Sequence, residues 1–255
     1  MPDPTLLNLS SPSFYEAIYP NEWMMANWEK HTFISVLQAL KPEAAIEIGN
    51  AKGGSLQVLN ELVPIVYAID VEPDIHRDLI PQFPEVNFLT GSSLEILPGL
   101  LKRIQSQGIK LGFILIDSDH TTEGVRADLN TILENYIPVC RLVILLHDSF
   151  NPDCRKGIQT ADWDKSPYVH LVDYDYIPGT YIDDIYNNNV QKKSMWGGFA
   201  MAILEPHPRK GELIIRQSVE RLFRQAYKGS FYTSFYYRIH MLFNSIKKRL
   251  SLLQL

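Results

Sequence analysis

Short runs of Val, Ile, Leu, Ala and Phe recur along this chain, separated by longer stretches with helical spacing, and that alternation constrains the fold more than any single residue does. The runs are AAIEI (44–48), IVYAID (65–70), VNFLT (86–90), GFILID (112–117), LVILLH (142–147), YVHLVD (168–173) and FAMAILE (199–205). Most are nearly continuous in apolar character, as strands covered on both faces must be, whereas a sheet with one wet face alternates. Between them KHTFISVLQAL, SLQVLNEL, SLEILPGLLKRIQ and TEGVRADLNTILENY repeat apolar residues at three- and four-residue steps, the period of a helix with one face on a core. This succession predicts an α/β, doubly wound, mostly parallel sheet of seven strands. Residues 41–206 are expected to form that domain, with 1–40 a helical extension before it and 207–255 a basic, amphipathic helical tail.

At 255 residues, with no repeat or low-complexity stretch, the chain can bury one large core. Its start lacks a basic segment followed by an apolar run, and nowhere do about eighteen apolar residues follow one another. A soluble, cytoplasmic protein is the expectation. Cys140 and Cys154 are the only cysteines and form no CxxC pair, so both read as free thiols. The net charge of −5 hides an asymmetry: residues 207–255 carry +8 and residues 1–206 carry −13. An acidic body argues against nucleic acid as the partner, because phosphate binding draws on clustered Lys and Arg.

Two of the apolar runs end in acids and histidine. GFILIDSDH delivers Asp117, Asp119 and His120, and LVILLHDSF repeats the grammar with His147 and Asp148. Neighbouring parallel strands present their C-terminal residues to one crevice, so groups about thirty positions apart can face one ligand. Acids with imidazole at that edge are the materials of metal ligation and proton transfer. Asp119 points either to solvent or to the start of the next helix, where an acid is favourable. His31, His76, His170 and His240 have no such partners and read as structural or exposed. The Asp-, Asn- and Tyr-rich stretch from Asn151 to Trp196 reads either as a substrate-contacting connection or as a solvated loop.

After the first run comes IEIGNAKGGS, with Gly49, Gly53 and Gly54 ahead of a helix beginning near Ser55. Such glycines permit a tight turn and let the backbone approach a ligand at a helix N-terminus. The next run ends in Asp70, 21 positions after Gly49, a spacing at which an acid accepts hydrogen bonds from ribose hydroxyls. The pair implies an adenosine-containing ligand. A dinucleotide fingerprint needs G-x-G-x-x-G, and Asn50 and Ala51 do not supply it, which disfavours a nicotinamide oxidoreductase.

This E-x-G-x-x-x-G-G-S loop resembles motif I of the class I S-adenosylmethionine-dependent methyltransferases. From about Trp28 to Pro206 the chain resembles their divalent-metal-dependent small-molecule O-methyltransferase branch, of the macrocin and cephalosporin-cluster type. The resemblance implies a Rossmann-like methyltransferase fold with Glu47, Gly49, Gly53, Gly54 and Ser55 around the methionine part of the cofactor and Asp70 on its ribose. GSSLEILPGL aligns with the stretch beside the adenine, where Ser92 stands in place of the frequent acid. IDSDHTTEGVRADL matches the family's I-D-x-x-H and following V-x-x-D-L helix, which implies that Asp117 touches both cofactor and metal and that His120 is the general base. LLHDSF places His147 and Asp148 at a pair of ligand positions that are commonly two acids or an acid and an amide; His147 departs from that pattern. WGGFAMAILEP is similar to the family's closing antiparallel strand. The implied cofactors are S-adenosyl-L-methionine and Mg²⁺ or Mn²⁺, and the implied partner is a small molecule or glycosyl unit bearing a hydroxyl. The rival from another class is a non-catalytic binding or scaffold module that keeps the fold and works through its tail.

In that tail Tyr232, Phe235, Tyr236, Ile239, Leu242, Phe243, Ile246, Leu250 and Leu253 recur at helical steps, with Arg238, Lys247 and Arg249 flanking the stripe. Such a face suits a homo-oligomer contact or packing on the body. A membrane surface is the weaker alternative.

Overall fold

The computed structural model describes residues 18–186 and 190–228. Its centre is an eight-stranded sheet in the order β10-β6-β9-β5-β4-β1-β2-β3. The strands are β1 (Ala44–Ile48), β2 (Ile65–Asp70), β3 (Asn87–Thr90), β4 (Leu111–Ile116), β5 (Leu142–His147), β6 (Val169–Ile177), β9 (Phe199–Leu204) and β10 (Ile214–Arg216). All pairings are parallel except those of β9, which runs antiparallel between β5 and β6. The expected seven runs are all strands of this sheet, but the expected count is corrected to eight, because β10 adds a short parallel edge to β6. Three residues are too few to carry a periodic signal.

Helices cover both faces: α1 (Asn27–Leu40), α2 (Gly54–Leu62), α3 (Pro73–Leu79), α4 (Ser93–Ser106), α5 (Thr122–Asn135), α6 (Pro152–Gln159) and α7 (Glu220–Ala226). Every residue of β1, β4 and β5 is buried, as their unbroken apolar runs require. One core layer joins Ile46, Ile114 and Ile144 to Leu101 of α4 and Leu129 of α5. The other joins Ala45, Phe113 and Leu145 to Phe33 of α1 and Leu59 of α2, with the Phe33 and Phe113 rings edge-on at 5.7 Å. A buried Phe of this kind contributes about 2–3 kcal/mol by area removed from water.

Most of the stretch 151–196 is regular structure. It holds α6, a short 3-10 turn at Trp163–Lys165, the whole of β6, and a separate antiparallel hairpin of β7 (Thr180–Tyr186) and β8 (Val190–Trp196). Arg155 of α6 is buried and ties this region together. It pairs with Asp175 of β6 at 2.7 Å and with Glu220 of α7 at 3.0 Å, and lies over the Phe150 and Phe223 rings. Tyr227, just past α7, donates from its hydroxyl toward Phe150 O at 2.8 Å and Met195 O at 2.6 Å, and accepts from Met195 N at 3.2 Å. Both cysteines are free thiols, with Cys154 buried. No described helix is long and apolar enough to cross a membrane. The apolar stripe expected from Tyr232 to Leu253 lies outside the described residues, so the structure speaks only for 207–228 of the expected tail. That part contains β10 as well as α7, so it is not wholly helical.

Candidate active site

The sheet order reverses between β1 and β4: β2 and β3 lie to one side, β5 and β9 to the other. A crevice opens at the C-terminal ends of the strands at such a switch point. Gly49, directly after β1, approaches the chain directly after β4 so closely that an added Cβ would stand 2.1 Å from the Asp117 carbonyl oxygen. Its φ of +88° independently favours glycine. The tight crossing is held by Gly49 N–H to Ile69 O and Asp117 N–H to Ile48 O, both 2.9 Å.

A cavity of about 490 Å³ opens here, lined among others by Gly49, Asp70, Ser92, Asp117, Ser118 and Asp128. Four of the residues assigned to the cofactor from sequence, Gly49, Asp70, Ser92 and Asp117, therefore share one space. Gly54 and Ser55 line a small recess beside it, under residues Glu22–Met25. Gly53 faces away, toward Leu79, Asn21 and Phe83. Glu47 is fully buried beneath the loop, accepting from Asn50 Nδ2 at 2.8 Å and in a very short hydrogen bond with Ser55 Oγ. Burial pushes its carboxyl up to about 8 against the two donors, with the charges of Asp117 and Asp70 adding to the rise. The Asp70 carboxylate accepts from Asn50 N at 2.8 Å and Glu72 N at 3.0 Å, which fixes it at the cavity edge.

His76 of α3, read from sequence as structural or exposed, is buried in this network. Nε2 stands 2.9 Å from Asn50 Oδ1 and Nδ1 stands 2.7 Å from Thr90 Oγ1. It thereby sets which way the Asn50 amide faces, and Asn50 in turn reaches both Glu47 and Asp70. Asp128 of α5 is also buried; it accepts from Ser93 Oγ at 2.5 Å and Ser118 Oγ at 3.0 Å, joining the β3 and β4 ends of the cavity. Asp119 turns back over the first turn of α5 against Gly124, the second of its two expected directions, while Thr121 caps that helix by accepting from Gly124 N at 3.0 Å.

Asp117 faces two ways. Besides lining the cavity, its carboxylate belongs to a cluster with His120, His147 and Asp148. His147 Nδ1 lies 3.1 Å from Asp117 Oδ1 and 3.7 Å from Asp148 Oδ2. His120 Nε2 lies 2.7 Å from Asp148 Oδ2 and 3.7 Å from Asp117 Oδ1. Asp148 sits at a left-handed φ of 54°, which bends the chain after β5 so that its Oδ1 accepts from Gly197 N at 2.8 Å. Sequence reasoning missed a fifth member, Glu29 of α1. It is 3% exposed, its Oε1 lies 3.3 Å from His147 Nε2, and it accepts from Ala26 N at 2.6 Å and, in a very short bond, from Gly198 N.

Charge explains the titration of this cluster. Burial would raise Asp117 and Asp148, but the histidines beside them outweigh it and hold both carboxyls below their usual range. The carboxylates of Asp117 and then Asp148 beside it push the His120 imidazole up to about 10. Burial works to lower His147, yet the surrounding carboxylates raise it well above an ordinary imidazole. In this arrangement the flanking carboxylates favour the imidazolium form of His120 and move it away from the ordinary pKa of about 6.5 expected of a base at neutral pH. Ligand atoms of Asp117, His147 and Asp148 all lie within 4.8 Å of one another. Two hard carboxylates and an imidazole on neighbouring strand ends form a donor set that fits a divalent cation, and His120 now neutralises the carboxylates from the solvent side.

A switch-point cavity with a glycine loop beneath it, a strand-end acid at its edge and a closing antiparallel strand defines a Rossmann-like, class I methyltransferase fold. The sequence profile of the rhamnosyl O-methyltransferase/CmcI family matches residues 27–201, and the chain belongs to that family. It is an S-adenosylmethionine-dependent methyltransferase. No curated protein sequence matches the chain. Among solved structures, the O-methyltransferase TomG from Streptomyces achromogenes, involved in tomaymycin synthesis and in complex with S-adenosylmethionine, shares the fold. Its TM-score is 0.50 at 14% identity, over 75% of this chain and 86% of that one. An O-methyltransferase from Bacillus cereus in complex with S-adenosylhomocysteine aligns at a TM-score of 0.49 and 17% identity, over 79% of this chain and 94% of that one.

Proposed function

We propose that this protein transfers the methyl group of S-adenosylmethionine to a hydroxyl of a glycosylated small molecule. In this reading Asp117, His147 and Asp148 hold a divalent cation and His120 takes the hydroxyl proton. The observation that carries it is the double placement of Asp117, which borders the cofactor-sized cavity on one side and joins the acid and imidazole cluster on the other. A methyl donor in the cavity and a hydroxyl at the cluster would then meet at one side chain. The family's rhamnosyl name makes a deoxysugar hydroxyl the first acceptor class to test.

The cavity residues divide the donor between them. Asp70 offers its remaining lone pairs to ribose hydroxyls, and Glu47 with the Gly49–Ser55 loop faces the methionine part, whose ammonium compensates the buried carboxylate. Ser92 and Ser93 border the adenine end. An aliphatic hydroxyl is a poor nucleophile until its proton leaves. A dication at the cluster supplies electrostatic stabilisation for the negative charge that develops on that oxygen. Asp117, His147 and Asp148 would hold that cation, and with the two carboxylates so engaged His120 Nε2, 2.7 Å from Asp148 Oδ2, would be the group that accepts the hydroxyl proton. The oxygen then attacks the methyl carbon, the carbon–sulfur bond breaks, and the sulfonium leaves as a neutral thioether.

The test is a radiolabelled methyl-transfer assay on rhamnosylated and other deoxysugar acceptors, with calorimetric titration of S-adenosylhomocysteine alongside. Binding of S-adenosylhomocysteine, turnover lost in chelator, and turnover lowered about 10²- to 10⁴-fold in His120→Ala are the expected results. Absence of S-adenosylhomocysteine binding at high micromolar concentration removes the donor assignment. Undiminished turnover in excess chelator removes the cation.

A further inference from the structure

His147 stands where the family pattern commonly has an acid or an amide, and its surroundings show what a histidine does there. One ring nitrogen, Nδ1, faces the carboxylates of Asp117 and Asp148 at 3.1 and 3.7 Å. The other, Nε2, is enclosed by protein, lacks a well-aligned hydrogen bond, and has the Glu29 carboxylate as its nearest charge at 3.3 Å. The ring cannot turn freely, since it packs edge-on to Phe199 at 5.3 Å. Glu29 is itself fixed by the Gly198 and Ala26 amides, so α1 and the turn before β9 both anchor it.

We infer that Glu29 is a positioning residue that keeps the Nε2 proton of His147 and aims Nδ1 at the cation site, giving a two-carboxylate, one-imidazole set that selects Mn²⁺ or Co²⁺ over Mg²⁺. The inference rests on the proposed cation site and goes beyond it to ligand atom, positioning residue and class of ion. A histidine that ligates through one nitrogen donates its other N–H to a carboxylate, which fixes the tautomer and strengthens the ligand. Mg²⁺ prefers an all-oxygen shell and keeps its waters, whereas first-row transition ions accept imidazole readily. A carboxylate or amide at position 147 would present only oxygen to a hard ion. Glu29, with no role beyond a helix first turn in the sequence, thereby gains a chemical reason to be buried.

The experiment uses the full chain and reads binding of the metals alone, by calorimetric titration of Mn²⁺, Co²⁺ and Mg²⁺, with pulsed electron paramagnetic resonance on the Mn²⁺-loaded protein. Nitrogen coupling to Mn²⁺ is expected in the wild type and absent in His147→Asn, whose Mn²⁺/Mg²⁺ affinity ratio falls at least tenfold. Glu29→Gln is expected to weaken Mn²⁺ binding about 10- to 100-fold with S-adenosylhomocysteine affinity unchanged. If Glu29→Gln fails to fold, Glu29→Asp, which keeps the charge but shortens its reach to His147 Nε2, is titrated in its place. Mn²⁺ bound without nitrogen coupling, an ion ratio unmoved in His147→Asn, or an unchanged Mn²⁺ affinity in the folded Glu29 variant overturns the inference and leaves the cation site standing. Failure of every dication to bind, with S-adenosylhomocysteine still bound, overturns the cation site and the inference with it.

Discussion

Glu47 offers the sharpest thermodynamic test of the cofactor side. Its carboxyl is fully buried and raised from 4.5 to about 8, so between those values the folded protein holds a proton that the unfolded chain has released. Stability therefore falls as pH rises through this window, the opposite of the usual salt-bridged acid. Each pH unit is worth about 1.4 kcal/mol, which sets a ceiling of roughly 5 kcal/mol by about pH 9. With the loop relaxing around the new charge, about 2 kcal/mol is the expected observable part. Gln at this position can accept from Asn50 and donate to Ser55 Oγ without ever ionising. Urea denaturation of wild type and Glu47→Gln at about pH 5, 7 and 9 should thus show the variant gaining on the wild type by about 2 kcal/mol or more over the series. S-adenosylhomocysteine should reverse the ranking, because its ammonium meets a carboxylate only in the wild type. Losing one partner of a buried charged pair costs about 2–5 kcal/mol, so the variant should bind at least about 30-fold more weakly. Parallel pH dependences for the two proteins would refute the buried-acid argument, and equal affinities would refute the placement of Glu47 at the methionine end.

Other elements invite equally direct perturbations. Gly49→Ala would drive a methyl group into the Asp117 carbonyl at 2.1 Å, and is expected to destabilise by more than about 3 kcal/mol or to fold with no S-adenosylhomocysteine binding; a variant indistinguishable from wild type in melting and titration would contradict the tight crossing. His76→Phe should weaken S-adenosylhomocysteine binding about tenfold, by freeing the Asn50 amide, while His76→Gln, which can still donate to Asn50, recovers much of it. Arg155→Met should cost about 3–5 kcal/mol by leaving the buried Asp175 unpaired, and the double change with Asp175→Leu should return most of that in a denaturation curve. Tyr227→Phe should cost about 1–3 kcal/mol, measured by thermal melting, for the backbone groups of Phe150 and Met195 that lose their hydroxyl partner.

The central apolar runs were legible because burial on both faces leaves little choice of residue. β1, β4 and β5 show no exposed position at all, so their sequences could hardly read otherwise. The hairpin of β7 and β8 was not legible: TYIDDIY and VQKKSMW carry no continuous apolar run, and the pair lies outside the main sheet. Helix α3 is short and polar apart from Ile75 and Leu79, so its PDIHRDL carries little periodicity. The site shows the same division. Strand-end Asp117, His147 and Asp148, and the glycine loop with Asp70, announce themselves by position in a motif. Glu29 does not, since an acid in the first turn of a helix is the ordinary complement to its dipole; only tertiary packing puts it against His147. One signal was available. Glu29 lies three residues after Ala26, a helix start lacking a Ser, Thr, Asp or Asn cap, where a glutamate reaching back to the N-cap amide is half of a capping box.

The position of β9 has a consequence for how the enzyme comes to exist. Residues 199–204 insert between β5 and β6, so the sheet's centre is completed by a segment made more than fifty residues after β5. Such long-range pairing is slow to form, and until it does β5 is an open edge. In register His147 pairs with Phe199, and the two glycines before Phe199 supply the amides that Asp148 and Glu29 accept. Closing the sheet and assembling the acid and imidazole cluster are therefore one event, and a chain arrested before β9 docks would have the glycine loop but no completed cluster.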